Sequence, residues 1–332
     1  MTKVALIKGN DRYNNILKAL NAIENDLQLN HLKNIVIKIN LTAPEIPAAI
    51  THVDAIRAVL DFLSARNINQ LTIAEGTASG MISTPKAYNL LNYYSLFKKY
   101  NLRYVDLNTD ESTEEKIFNH QLKPIRVRVA NTILNSDFRI SLCLPKTHDS
   151  GIMSASIKNM VMGSLIRSYN KLLFPVLREF CKSIVRKLPM DYKKRISSFA
   201  AVAENNDKLK MHQGIPAINL NISTLAKKIM PNLSIIDGFQ AMEGNGPIHG
   251  ESVNWGIALA SVDAVACDSV IAKLMGIDPN LIGYLKYCMD DNLGNGNVDN
   301  INIIGNSIDE CIRIFKLHEN YSEQLNWKIK NI

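Results

Sequence analysis

Short runs that are apolar at nearly every position recur along this 332-residue chain: Val4–Ile7, Ile35–Ile39, Leu71–Ala74, Phe138–Leu144 and Leu233–Ile236. A strand that is apolar in this way is covered on both faces, which is the condition of a parallel sheet under two layers of helix. Further strand-like runs are Arg103–Asp106, Gly256–Ala260 and Ile301–Ile304. Segments of helical period lie between them, at Arg12–Ile23, Val53–Ala65, Lys86–Tyr100, Asp263–Met275 and Ser307–Leu317. The alternation predicts an α/β fold with a mainly parallel sheet, helices on both faces and a ligand cleft at the strand carboxyl ends.

One segment interrupts the alternation. Between Ser164 and Lys210 stand eleven basic and four acidic residues, and this stretch carries the whole net charge of +7. The expected organisation is an N-terminal α/β lobe over 1–163, a basic amphipathic helical insertion over 164–211, and a C-terminal α/β part over 212–332 that completes the same cleft. Within the insertion, Val176, Leu177, Phe180, Cys181, Ile184, Val185 and Leu188 follow a helical period, with Arg178, Lys182 and Arg186 on the other side. A core-packing helix, a lid over the cleft, and peripheral contact with anionic membrane through 175–195 all fit that pattern. Because the basicity is local and few aromatic residues are interleaved, nucleic acid is not an expected partner. Five scattered cysteines contain no C-x-x-C pair, so no intrinsic iron–sulfur motif or zinc ribbon is expected. No cleavable leader and no membrane-length apolar run is evident, so the expected setting is cytoplasmic.

The polar turns at strand ends hold the candidate chemistry. Pro145-Lys146-Thr147-His148 offers an amine, a hydroxyl and an imidazole in succession, and Ser156-Ile157-Lys158-Asn159 and Gly163 follow. Histidine titrates near neutrality and a buried lysine can be drawn towards it. His148, Lys158 and Lys146 are therefore the candidate catalytic residues, as acid, base or anion clamp. Lys38, Asn40, Glu75, Gly76, Thr147, Asn159, Gly244 and Gly246 are candidates for binding substrate or cofactor. The glycine-rich turns match neither nucleotide-binding fingerprint. His52, Asp237 and Glu243 are a candidate divalent-metal set of mixed oxygen and nitrogen donors, while His31, His120 and His318 read as surface residues. The G-x-S-x-G of a hydrolase nucleophile elbow is absent.

Several of these stretches, taken in order, resemble the domain of unknown function 362 family. They are Val36-Ile-Lys-Ile-Asn40-Leu41, Thr51-His52, Ile73-Ala-Glu75-Gly76, Leu144-Pro-Lys146-Thr-His148, Ser156-Ile-Lys158-Asn159 with Gly163, Ile236-Asp237-Gly238, Met242-Glu243-Gly244-Asn-Gly246-Pro247 with Gly250, and Ser261-Val-Asp263-Ala-Val-Ala-Cys-Asp268. The family's function is largely unassigned, so the resemblance implies a fold and a site, not a reaction. Some members carry a ferredoxin module; this chain departs from them in its cysteines, and its basic segment is longer than the family pattern implies. The stretch from His148 to Gly163 is also remotely similar to nickel-dependent lactate racemase-type proteins, in which a histidine and then a lysine before a glycine line the site. The expectation is an enzyme with acid/base chemistry on a small anionic or lipid-like substrate. The alternatives are a non-catalytic ligand- or cofactor-binding protein and a redox-associated protein served by an external iron–sulfur partner. Cofactor and oligomeric state are left open.

Overall fold

A computed structural model describes residues 1–29, 32–79, 82–167 and 206–329. The basic amphipathic helix expected within 175–195, Cys181 and His31 lie outside the described residues.

In chain order the strands are β1 (Lys3–Lys8), β2 (Ile35–Lys38), β3 (Leu71–Glu75), β4 (Leu102–Asp106), β5 (Ser112–Phe118), β6 (Pro124–Ala130), β7 (Phe138–Cys143), β8 (Lys146–His148), β9 (Ile152–Ser154), β10 (Leu233–Asn245), β11 (His249–Ser261) and β12 (Asn302–Gly305). The main sheet runs β12-β1-β11-β10-β7-β2-β3-β4, with β8 and β9 attached to β10. Pairing is parallel from β10 through β7, β2 and β3 to β4, and between β1 and β12. β11, inserted between β1 and β10, pairs antiparallel with both, β8 and β9 pair antiparallel with each other, and β5 and β6 form a separate antiparallel hairpin. Strands from 1–163 and from 212–332 thus share one sheet.

The fully apolar strands are buried on both sides, as their composition requires. One face is covered by the Arg12–Ala22 and Val53–Ser64 helices, which contribute Ile16, Leu20, Ile56, Val59 and Phe62. The other is covered by the Ser156–Gly163, Ile215–Ile229 and Ala264–Leu274 helices, through Ile157, Met160, Ile218, Ile222, Val270 and Leu274. No helix among the described residues is long and apolar enough to cross a membrane.

Three expected elements differ. The Lys86–Tyr100 helix is broken in two, Thr84–Leu90 and Tyr93–Leu96, by Asn92 in the left-handed region at φ +57°. The Ser307–Leu317 helix is a single turn, Ile308–Cys311, after which the chain is extended. There Arg313 and Phe315 donate their N–H groups to the carbonyls of Leu274 and Met275, which tertiary packing favours over helix propagation. Finally, the strand beginning at Leu233 does not end in a loop at Asp237. It continues to Asn245 through a register shift at Gly238/Gln240, forming a hairpin with β11, so that Asp237 and Glu243 are strand residues.

Candidate functional site

The carboxyl ends of β2, β3 and β7 meet in a cavity of about 210 Å³. Lys38 ends β2 and Asn40 follows it; Glu75 ends β3 and Gly76 follows. After β7, Leu144-Pro145 leads into β8, which carries Lys146 and His148. The Ser156–Gly163 helix adds Lys158 and Asn159. Its first two amides, from Ser156 and Ile157, are both accepted by the buried carboxylate of Asp268 at 2.9 and 3.0 Å. That contact anchors the helix start and closes its N-terminus to any other anion.

The floor of the cavity is a saturated network. Lys38 Nζ donates to the Ile39 carbonyl at 2.7 Å, to Glu75 Oε2 at 3.0 Å and to Asn159 Oδ1 at 3.2 Å, using all three of its protons. Glu75 Oε2 also accepts from the Leu41 N–H, and Oε1 from the Gly76 N–H. Asn159 accepts from Asn40 Nδ2 and donates to Ser141 Oγ and the Lys38 carbonyl. Two glycines make room for this. A Cβ on Gly163 would stand 2.0 Å from Lys38 Cε, and one on Gly76 would stand 2.8 Å from the Gly163 carbonyl oxygen. Lys38, Glu75 and Asn159 therefore build the site rather than offer free valences to a ligand.

The remaining lysines are different. Lys146, Lys158 and Lys208 are all at least 94% buried, and among the described residues none has a carboxylate within ion-pair distance. Lys146 Nζ donates to Asn40 Oδ1 at 3.1 Å and more weakly to Thr42 Oγ1. Lys208, in the Asp207–Lys210 turn of helix, donates to the carbonyls of Met162 and Gly163. Lys158 Nζ stands 2.6 Å from His148 Nε2. On the other side of the ring, His148 Nδ1 is 2.8 Å from Asp149 Oδ1 and 3.2 Å from both the N–H and the hydroxyl of Ser150; in the tautomer that donates from Nδ1 to Asp149, the Nε2 lone pair faces Lys158. Burial disfavours the charged form of each group. It draws Lys146 down to about 8, and Lys158 and Lys208 to about 7. For His148, burial and then the Lys158 charge lower the pKa to about 4.

The backbone under His148 is held from afar. Ile152 has φ +64°, a costly conformation for a β-branched residue. Its N–H is received by Gln324 Oε1, while Gln324 Nε2 donates to the His148 carbonyl at 2.9 Å. A side chain near the C-terminus thus fixes both strands of the β8–β9 hairpin.

The cavity gathers His148, Lys158, Lys146, Lys38, Asn40, Glu75, Gly76 and Asn159. Thr147, Gly244 and Gly246 lie behind it. Thr147 Oγ1 donates to the Gly244 carbonyl at 2.8 Å, and a Cβ on Gly246 would stand 2.2 Å from the Thr147 carbonyl oxygen, so all three pack β8 against the β10–β11 hairpin. The expected metal set does not assemble. His52 caps the Val53–Ser64 helix by accepting from the Asp54 N–H. Asp237 is paired with Arg12 at 3.1 Å, and Glu243 accepts from the Lys316 N–H. Each is occupied by a local partner, and among the described residues no three His, Cys, Asp or Glu side chains form a group that could hold a metal ion. Asp149, Arg167, Lys208 and His212 also line the cavity. Arg167 and Lys208 were absorbed in the basic segment's overall charge, where periodicity marks a solvated face and gives no signal for a residue folded back into a cleft.

A thylakoid-associated protein of Synechocystis sp. is 49% identical over 57 residues, 17% of this chain and 18% of that protein. The lactate racemase apoprotein from Thermoanaerobacterium thermosaccharolyticum superposes over 71% of this chain and 50% of its own, with 14% identity and a TM-score of 0.39. The chain therefore spans at most half the length of either. The profile of the family described as Domain of unknown function (DUF362) matches residues 35–273, a span that holds every cavity residue named above. This chain belongs to that family.

Proposed function

We propose that the cleft is the active site of an enzyme that moves a proton on a small anionic molecule. The observation that carries the reading is the buried contact of 2.6 Å between Lys158 Nζ and His148 Nε2, backed by Asp149. An amine with a pKa near 7 is poised to exchange a proton at neutral pH, while the imidazole beside it, with a pKa near 4, stays neutral there. In this reading Lys158 as the free amine takes a proton from the substrate. His148, neutral at this pH, faces the amine with Nε2 and orients it, and the Asp149 carboxylate holds the ring. Lys146 faces the negative charge left on the substrate, where a buried cation is worth more than in water. The step needs no oxidant or reductant. Proton donation to the opposite face, or return of the same proton, decides between isomerisation and exchange.

The test is solvent exchange. The full-length protein is incubated in D₂O with a panel of small carboxylates and phosphate esters, and loss of C–H signal is followed by proton NMR. At least one compound is expected to exchange. His148→Gln and Lys158→Met should each slow exchange by about 10²-fold or more with the melting temperature retained. Exchange that proceeds unchanged in both variants, or none with any compound the protein binds, would contradict the reading and leave a binding role.

A further inference from the structure

We infer that the ligand of this cleft carries two anionic groups, one received by Lys146 beside the Lys158–His148 pair and the other by Lys208, so that its class is a short dianion such as a dicarboxylate or a phosphorylated acid. The inference rests on reading the cleft as an anion-binding active site, and it adds the number and placement of the charges.

Donor counting separates the lysines. An ammonium has three N–H donors. Lys38 spends all three on protein acceptors. Lys208 spends two, on the Met162 and Gly163 carbonyls, and Lys146 two, on Asn40 and Thr42. Lys158 spends one, on His148. Counted over the described residues, the three lysines that retain donors all line the cavity. A buried donor left unmade is costly, and a buried cation without a counter-charge more so. The described residues around the cavity include five basic side chains, Lys38, Lys146, Lys158, Arg167 and Lys208, and two acids, Glu75 and Asp149. Glu75 is committed to Lys38 and Asp149 to His148. Among the described residues, a single monoanion would leave at least one lysine uncompensated.

The cations fall at two places. Lys158 is in the first turn of the Ser156–Gly163 helix, beside His148. Lys208 is bound to the carbonyls at the other end of the same helix. Gly163 stands five positions after Lys158, about 7.5 Å along a helix axis. The saturated Lys38–Glu75–Asn159 network occupies the interval. The ligand is short, because 210 Å³ falls below the roughly 300–1,000 Å³ typical of sites for drug-sized molecules.

Isothermal titration of the full-length protein at pH 6.5 tests this, with butyrate as monoanion, glutarate as dicarboxylate and 3-phosphoglycerate as phosphorylated acid. At least one dianion should bind about tenfold or more tighter than butyrate, and Lys208→Met should remove that advantage while leaving butyrate binding in place. Retained butyrate binding also reports a folded cleft; Lys208→Gln serves as a second variant if the first does not fold. Preference for glutarate or for 3-phosphoglycerate identifies the second group as carboxylate or phosphate. Equal affinity for butyrate and both dianions, no binding by either dianion, or an equal loss for all probes in the Lys208 variants would overturn the inference. Dianion selectivity without solvent exchange would leave it standing while removing the proton-transfer reading; exchange on a monoanion alone would do the reverse.

Discussion

Lys38 and Lys158 are both buried, yet their nitrogens meet opposite surroundings. Lys38 has a carboxylate and two carbonyl oxygens; Lys158 has an imidazole. Removing the charge from Glu75 strands a buried cation, whereas replacing Lys158 by an apolar chain removes one. Glu75→Gln is therefore expected to lower unfolding free energy by about 3–5 kcal/mol, and Lys158→Met to leave it unchanged or raise it. Urea unfolding at pH 7 checks both, and the opposite ranking would contradict the division between framework and reactive lysines. The sequence sets Lys146 and Lys158 apart as candidate catalytic residues and Lys38 as a candidate for binding, but it does not show that Lys38 is saturated by protein partners. The partners that saturate Lys38 lie 37 and 121 residues further along the chain, and no local pattern encodes them. His148 and Lys158 were legible because both sit in short polar stretches next to apolar strands. Lys208 was not, because a lone lysine in a basic segment looks solvated.

At the scale of elements, the parallel strands could be read directly, since burial on both faces leaves an unbroken apolar run. The hairpins could not. β5–β6 packs one face and exposes the other, with charged residues such as Glu114 and Arg126 pointing out, so its apolar signal is diluted. β10 and β11 hold glycines and charges that mimic a loop, yet their ladder extends to Asn245↔His249. The Ser156–Gly163 helix was visible only as a motif, being eight residues long and dependent on a distant anchor. That anchor is Asp268, on the Ala264–Leu274 helix, whose pKa burial pushes up to about 7 even though two backbone N–H groups favour the carboxylate. Asp268→Ala leaves the Ser156 and Ile157 amides buried without an acceptor, and is expected to cost about 2–4 kcal/mol. Thermal unfolding measures this. A loss below 0.5 kcal/mol, on the order of an ordinary surface substitution, would show that the helix does not depend on Asp268.

Across the whole molecule, the site is assembled from both ends of the chain on one sheet. β1 is zipped between β11 and β12, and the C-terminal Gln324 clamps the hairpin that carries His148. This frame holds lysines out of water with no carboxylate at ion-pair distance among the described residues, and the central claim is that one of them, Lys158, is an amine able to exchange protons at neutral pH. Burial disfavours the ammonium, so the pKa falls from the ordinary lysine value of 10.5 to about 7, and the amine is half neutral there and mostly neutral above it. The direct measurement is a carbon-13 NMR titration of lysine side chains in the anion-free full-length protein, with Lys158 assigned by its absence in Lys158→Met. A Lys158 signal titrating near pH 7 is predicted. A Lys158 that remains protonated to pH 10 would contradict the account.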